Sequence, residues 1–315
     1  MKISVIIVTK DRKEALKTTI AGFRAQTYKN YEIVIIDNAS IDGTKEMITN
    51  EYNDIKYLWL PDNFDIRSIN IGIELSDGDI IWRTDSDSNP ETPDEFQKVI
   101  DIFNNNDDVD VICMEDIEVR KNYTIWQWYP LPNDKVNIPK SGYKSNTFAG
   151  TGAAIRRKVY DKIGGFWEFG FEEIDFCTRA ILAGFQVRYF PNVRVVHYAT
   201  SSERQSDERW IRISNQFVRY NWKYFPFWNA LGRFIIIYAS QIVQVFTSRL
   251  KFITLCEGCL TMISTALHTI RLERQVVPKD KIPEITLGRS LAKYQYLYFK
   301  DKIVKKLLVR KKKQN

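Results

Sequence analysis

Several ingredients that would settle a fold or a chemistry by simple pattern are scarce in this chain. The four cysteines, Cys113, Cys177, Cys256 and Cys259, are too few and too scattered for a disulfide framework, which points to a reducing compartment. Cys256 and Cys259 have a C-x-x-C spacing, but no second pair or histidine cluster accompanies them, which argues against structural zinc or redox use. Histidine occurs only twice. No segment offers the ~20 clean apolar residues of a membrane-spanning helix. The apolar run from Met1 to Thr9 is too short for a signal peptide and meets Lys10-Asp11-Arg12 at once. The sequon Asn122-Tyr123-Thr124 is discounted for the same reason, since it matters only in a secreted protein. Net charge is also missing from most of the chain. Eight basic residues and one acid between Lys300 and Asn315 equal the whole formal charge of +7. Such a tail suits an anionic membrane surface at least as well as nucleic acid, and nucleic acid is not taken as a partner.

What is present fits a globular protein: 315 residues, 44% hydrophobic and 27% charged, enough for one large domain or one domain with an appendage. The first half alternates. Ile3–Thr9 reads as a central strand buried on both faces. Helical spacing covers Glu14–Thr27, with strand at Tyr31–Ile36, helix at Lys45–Tyr52 and strand at Ile55–Leu60. A helix at Ser68–Leu75, strand at Ile80–Thr84, helix near Pro93–Asn104 and strand at Val109–Met114 continue the pattern. This βαβα order predicts a mostly parallel α/β sheet flanked by helices. Residues 117–148 are irregular and aromatic, Trp126 and Trp128 among them, and read as a functional loop region. Helices are expected at Ala153–Lys162 and Glu172–Ala183, then short strands at Gln186–Phe190 and Val193–His197 around Pro191.

Beyond about residue 205 the strand signals fade. The segments Ala230–Phe246 and Phe252–Arg271 are amphipathic, with polar stripes on otherwise apolar helices. They pack on the core, on a second copy of the chain in a homo-oligomer, or lie shallowly in a membrane interface, which the basic tail supports. The expected division is therefore residues 1–205 as a catalytic domain and 206–315 as a helical region with a basic tail.

The strand Ile80–Thr84 leads into Asp85-Ser86-Asp87, followed by the turn signal Ser88-Asn89-Pro90. In an extended segment residues i and i+2 share a side. Two carboxylates would then point together at the carboxyl end of a strand, where open α/β sheets place ligands. A hard divalent cation held by one or two carboxylates and substrate phosphates is the natural occupant. A solvated acidic turn is the plain alternative.

Other segments join this triplet in order: Val5–Arg12, Ile35–Thr44, Asn70-Ile71-Gly72-Ile73 before Gly78-Asp79, Gly164-Gly165-Phe166, Glu172-Glu173-Ile174-Asp175 and His197. Together they resemble the family 2 glycosyltransferases, inverting enzymes with the GT-A fold, over roughly residues 1–200. The finer likeness is to bacterial rhamnosyltransferase-type enzymes acting on lipid-linked glycans. The resemblance implies that Thr9, Asp11 and Arg12 hold the nucleoside and that Asp37 accepts hydrogen bonds from base or ribose. Asn63 and Arg67 fall in the segment that closes over the nucleotide, and Arg67 would pair with diphosphate. Asp87 would bind Mn²⁺ or Mg²⁺ directly, Asp85 the ribose or a metal-bound water, and His197 would be a further ligand favouring Mn²⁺.

One carboxylate of Glu172-Glu173 would be the general base that takes the proton of an acceptor hydroxyl as it attacks the anomeric carbon. Stabilisation by the helix dipole is the structural reading of the same acids. The family usually carries Glu-Asp at this pair, so Glu173 is a departure that leaves Glu172 open as the base. Trp167 stacks on an acceptor sugar or fills the core. The activity implied is sugar transfer from a nucleoside-diphosphate donor to a glycan or lipid-linked glycan, in the cytoplasm at the inner face of the cell membrane. A polyprenyl-phosphate glycosyl synthase and a catalytically silent nucleotide- or glycan-binding module are the alternatives.

Overall fold

Two compact units, Met1–Gln205 and Ser206–Asn315, make up the protein. The computed structural model describes residues 1–118, 123–124, 137–198, 207–248 and 252–287. Trp126, Trp128 and the basic tail lie outside the described residues.

The first unit runs β1 (Ile3–Thr9), α1 (Lys13–Arg24), β2 (Tyr31–Asn38), α2 (Thr44–Glu51), β3 (Lys56–Leu60), α3 (Ser68–Glu74), β4 (Ile80–Asp85), β5 (Ser88–Pro90) and α4 (Glu95–Asn105). It continues with β6 (Val111–Glu118), β7 (Tyr123–Thr124), β8 (Tyr143–Lys144), β9 (Ala153–Arg156), α5 (Arg157–Ile163), α6 (Glu172–Leu182) and β10 (Val187–His197). The sheet order is β3-β2-β1-β4-β9-β6-β10-β5, with β7 on β6 and β8 on β10. β1 pairs in parallel with both β2 and β4, so the chain winds away from β1 in both directions. That reversal is where open α/β sheets leave a crevice beyond the strand ends.

Apolar residues on both faces of the central strands explain why helices cover the sheet twice. On one face Trp82 packs edge-on against Phe23 and Phe96, with centroids 5.9 and 5.1 Å away. On the other, Phe166 and Phe176 stack at 4.8 Å beneath Ile6, Ile36 and Ile81.

Three local expectations change. Ala153–Arg156 is a strand, not the start of a helix, because it fills the space between β4 and β6 and pairs antiparallel with each. Alanine's helix preference is a weak prior that a central sheet position overrides. Ser88-Asn89-Pro90 is likewise a strand, pairing antiparallel with the end of β10. β10 is continuous across Pro191, and its register against β6 shifts between Phe190 and Arg194. This bulge accommodates the proline, which cannot donate to a ladder.

The second unit consists of α7 (Asp207–Tyr224), α8 (Phe227–Ser248), α9 (Phe252–Leu272) and the short α10 (Ile282–Thr286). Arg274 donates to the carbonyls of Trp222 and Phe225 at the end of α7, at 2.9 and 3.2 Å, satisfying acceptors that the helix leaves open. No helix among the described residues is long and apolar enough to cross a membrane.

Candidate active site

The parallel register sets the first part of the site. Thr9 lies opposite Asp37 across β1 and β2, while Val8 lies opposite Asp85 across β1 and β4. Thr9, Asp37 and Asp85 therefore share the carboxyl edge at the reversal point. Thr9 is buried and its hydroxyl has no hydrogen-bond partner. Asp37 is fully buried, accepting from the Ser40 N–H at 2.8 Å and the Tyr57 hydroxyl at 2.7 Å. Its carboxylate thus shapes the loop that follows β2.

Asp11 holds this loop from the other side: its N–H donates to Ser40 Oγ and its Oδ1 accepts from Ile41 N–H, both at 2.8 Å. Asp11 and Ala39 both adopt positive φ, 49° and 60°. Backbone strain thus gathers where the two loops are latched. Asn63 turns its side-chain carbonyl onto the Asp65 N–H at 2.8 Å, and Arg67 stands exposed at the end of the same turn.

The Asp85-Ser86-Asp87 geometry differs from the extended arrangement expected. The strand ends at Asp85, and Ser86-Asp87 form a turn. Asp85 keeps 43% of its side chain open, whereas Asp87 keeps 3%. Asp87 Oδ2 accepts from Arg12 Nη1 at 2.6 Å, and its Oδ1 lies 3.5 Å from His197 Nε2. The ladder between β5 and β10 sets Ser88 opposite His197, and Tyr198 N–H donates to the Asp87 carbonyl at 2.9 Å. The chain thereby brings together two residues far apart in sequence. Burial disfavours a charged His197, but the carboxylates of Asp87, Asp116 and Asp85 outweigh it and raise its pKa.

Among the described residues no group of three histidine, cysteine or acidic side chains closes on one point. A cage made of protein alone is therefore absent there. The donor set that is present, a buried imidazole facing a buried carboxylate with Asp85 open beside them, fits a hard cation that completes its shell with diphosphate oxygens and water.

The acidic pair sits at the start of α6. Glu172 is buried and its Oε2 accepts from Gly170 N–H at 2.5 Å, so it closes the turn into the helix. Glu173 keeps 20% of its side chain open. Desolvation by the surrounding protein and the neighbouring Glu172 push the Glu173 carboxyl up to about 8, against the opposing pull of Arg83.

The entry to α6 is held by Asn70, whose amide donates to the Phe166 carbonyl at 2.7 Å and accepts from the Phe166 N–H at 2.8 Å. Arg179 adds bonds to the carbonyls of Ile163 and Gly165 at 2.7 and 2.8 Å. Trp167 is partly exposed, with the Arg179 guanidinium 5.1 Å from its ring centroid.

The structure thus joins Thr9, Asp37 and Asp85 at one edge, Arg12, Asp87 and His197 in one cluster, and Glu172 with Glu173 at one helix start. Arg83, Tyr57 and Asp116 were not singled out from sequence. The signal available for Arg83 was a lone cation inside an otherwise β-forming central strand.

The glycosyl transferase family 2 model matches residues 4–164, just over half of the chain. The chain belongs to that family. It is 28% identical over 185 residues to a glucosyl-dolichyl phosphate glucuronosyltransferase of Haloferax volcanii, a match covering 53% of this chain and 56% of that protein. It is 26% identical over 205 residues to the O-antigen chain rhamnosyltransferase WbaN of Salmonella anatum, covering 60% and 63%. The chain thus spans less than two thirds of either relative's length. Among solved structures, the mannosyltransferase PcManGT of Pyrobaculum calidifontis, in complex with GDP-Man and Mn²⁺, aligns over 96% of this chain and 80% of its own. The TM-score is 0.54 at 16% identity. The fold of this family 2 glycosyltransferase is accordingly the mixed, largely parallel GT-A sheet with added C-terminal helices.

Proposed function

We propose that this glycosyltransferase is metal-dependent and inverting, and moves a sugar from a nucleoside-diphosphate donor to a hydroxyl of a lipid-linked or cell-envelope glycan. The observation that carries this reading is Glu173, a partly open carboxylate whose raised pKa suits proton abstraction near neutral pH. Glu172, committed to the Gly170 N–H, is the lesser base.

Thr9 supplies an unpartnered buried hydroxyl at the strand edge where the nucleoside would lie, and Asp37 with Asp11 keeps the adjoining loops in shape. Asp87, His197 and the open Asp85 would hold Mn²⁺ or Mg²⁺, the imidazole favouring Mn²⁺. When bound, the cation supplies charge neutralisation for the departing diphosphate. Arg12, already beside Asp87, offers a guanidinium to the same phosphates. Glu173 takes the acceptor's proton, so a single displacement needs no covalent enzyme intermediate.

Association with an anionic membrane at the inner face of the cell is supported by exposed Trp228 and Ile235 on α8 and by exposed Leu260, Ile263 and Leu267 on α9, together with the basic tail.

The test is transfer from a panel of UDP-, dTDP- and GDP-sugars with Mn²⁺ or Mg²⁺. Glu173→Gln is expected to lower kcat by about 10²–10⁴-fold while donor binding persists, and Asp87→Asn to weaken metal activation. Full transfer by Glu173→Gln would remove the base and favour a phosphate acceptor, which needs none.

A further inference from the structure

Arg83 is a fully buried cation, 2% exposed, in the middle of the sheet. It alternates with Ile81 and Asp85 on one face of β4, where its guanidinium lies 5.8 Å from the Phe166 ring centroid. Nη2 stands 3.7 Å from Asp85 Oδ1, and Nη1 stands 3.6 Å from Glu173 Oε1. Nε and Nη1 have no hydrogen-bond partner. A buried guanidinium left incompletely bonded is costly to the fold, and an apolar residue of similar volume commonly serves stability as well. Stability therefore does not explain why a cation sits there. Its two ion-pair partners do explain it: one belongs to the donor side of the site and the other to the acceptor side.

Space for the guanidinium is also reserved. A Cβ on Gly150 would lie 2.1 Å from Arg83 Nη1 and 2.9 Å from Cζ, so only glycine leaves the arginine where it is. The neighbouring Thr151 is fixed to the same strand, its carbonyl accepting from Thr84 Oγ1 at 2.8 Å.

We infer that Arg83 is a positioning residue that draws Glu173 towards its ionised form and keeps it in place as the base, and links it to the Asp85 end of the donor site. This rests on Glu173 being the base. Among the described residues, the groups that act most on Glu173 are Glu172 on its own helix, Arg83 and Asp85 from β4, with Cys177 one turn further along α6. Among them Arg83 alone is a cation. Glu172, Asp85 and burial all work against ionisation of Glu173, and Arg83 works for it.

The experiment is the pH dependence of kcat and the donor KM for wild type, Arg83→Met, Arg83→Lys and Gly150→Ala, with thermal melting as the check on folding. In Arg83→Met the acidic limb is expected to move up by roughly one pH unit, about a tenfold loss of kcat at pH 7, with donor KM little changed. Arg83→Lys restores the limb to near its wild-type position. Gly150→Ala keeps the charge but displaces it, and shifts the limb the same way by less. An unmoved limb in Arg83→Met and Gly150→Ala overturns the inference, as does a purely uniform fall in kcat at all pH values. Should Arg83→Met not fold, Gly150→Ala and Arg83→Lys decide. Transfer retained by Glu173→Gln sinks the base assignment itself, whereas its loss alongside an unmoved limb sinks only the role of Arg83.

Discussion

Substituting Gly165 by alanine isolates the clasp that delivers α6 to the site. A Cβ there would lie 2.0 Å from Asn70 Oδ1 and 2.5 Å from its Cγ, so the Asn70 side chain must leave. The backbone itself tolerates alanine, because Gly165 lies outside the set of positive-φ positions. Leaving breaks the two bonds between Asn70 and Phe166, at 2.7 and 2.8 Å. At ~0.5–1.5 kcal/mol net each, the loss is about 1–3 kcal/mol. It should not exceed that by much, since Arg179 still holds the carbonyls of Ile163 and Gly165. Urea unfolding of Gly165→Ala, Asn70→Ala and the double variant measures this as a cycle. If the clash acts through Asn70, the double variant is no less stable than the worse single one. Transfer should fall in both single variants, because Phe166 leads into the turn before α6, whose second residue is Glu173. Additive costs in the double variant, or a Gly165→Ala midpoint equal to wild type, would refute the reasoning.

Two further outcomes are expected. Glu32 is partly buried, yet the Lys56 ammonium and the Ser4 hydroxyl hold its carboxyl down to about 2. Its folded value lies below its unfolded one, so its contribution is present above the ordinary carboxylate range and is lost as pH falls towards about 2. Acid unfolding of Glu32→Gln should show less pH dependence across that window, and an identical profile would remove Glu32 from the account. Removal of residues 300–315 should weaken binding to vesicles containing anionic lipid, most visibly at low salt. Partitioning that is unchanged and insensitive to salt would remove the tail from the membrane reading.

Most of the first unit was legible because each central strand is an apolar run and each helix carries a one-sided apolar stripe. Thr9, Asp37 and Asp85 were readable as strand-end residues for the same reason. What sequence could not supply was pairing. Ala153–Arg156 has the composition of a helix start, and only its place between β4 and β6 makes it a strand. The turn at Ser86-Asp87 replaced the extended geometry that spacing alone had assumed, leaving Asp85 open and Asp87 buried. Arg83 escaped notice because a cation in a strand reads as edge or solvent-facing until its burial is known.

The bulge in β10 has a consequence for changes of chain length. Met114 faces Phe190 and Glu115 faces Arg194, so Pro191, Asn192 and Val193 are slack that the partner strand does not match. Everything after that slack is indexed rigidly: Val195, Val196 and His197 are fixed opposite Pro90, Asn89 and Ser88. A deletion of one residue after Arg194 would present Tyr198 where the imidazole now meets Asp87, and would turn the side chains to opposite faces. Of the three slack residues only Asn192 is exposed, Val193 being part of the core, so a deletion at Asn192 is the one expected to be absorbed before the indexing begins. The bulge therefore works as a length buffer, and it is the place where β10 can gain or lose a residue and still deliver histidine to Asp87.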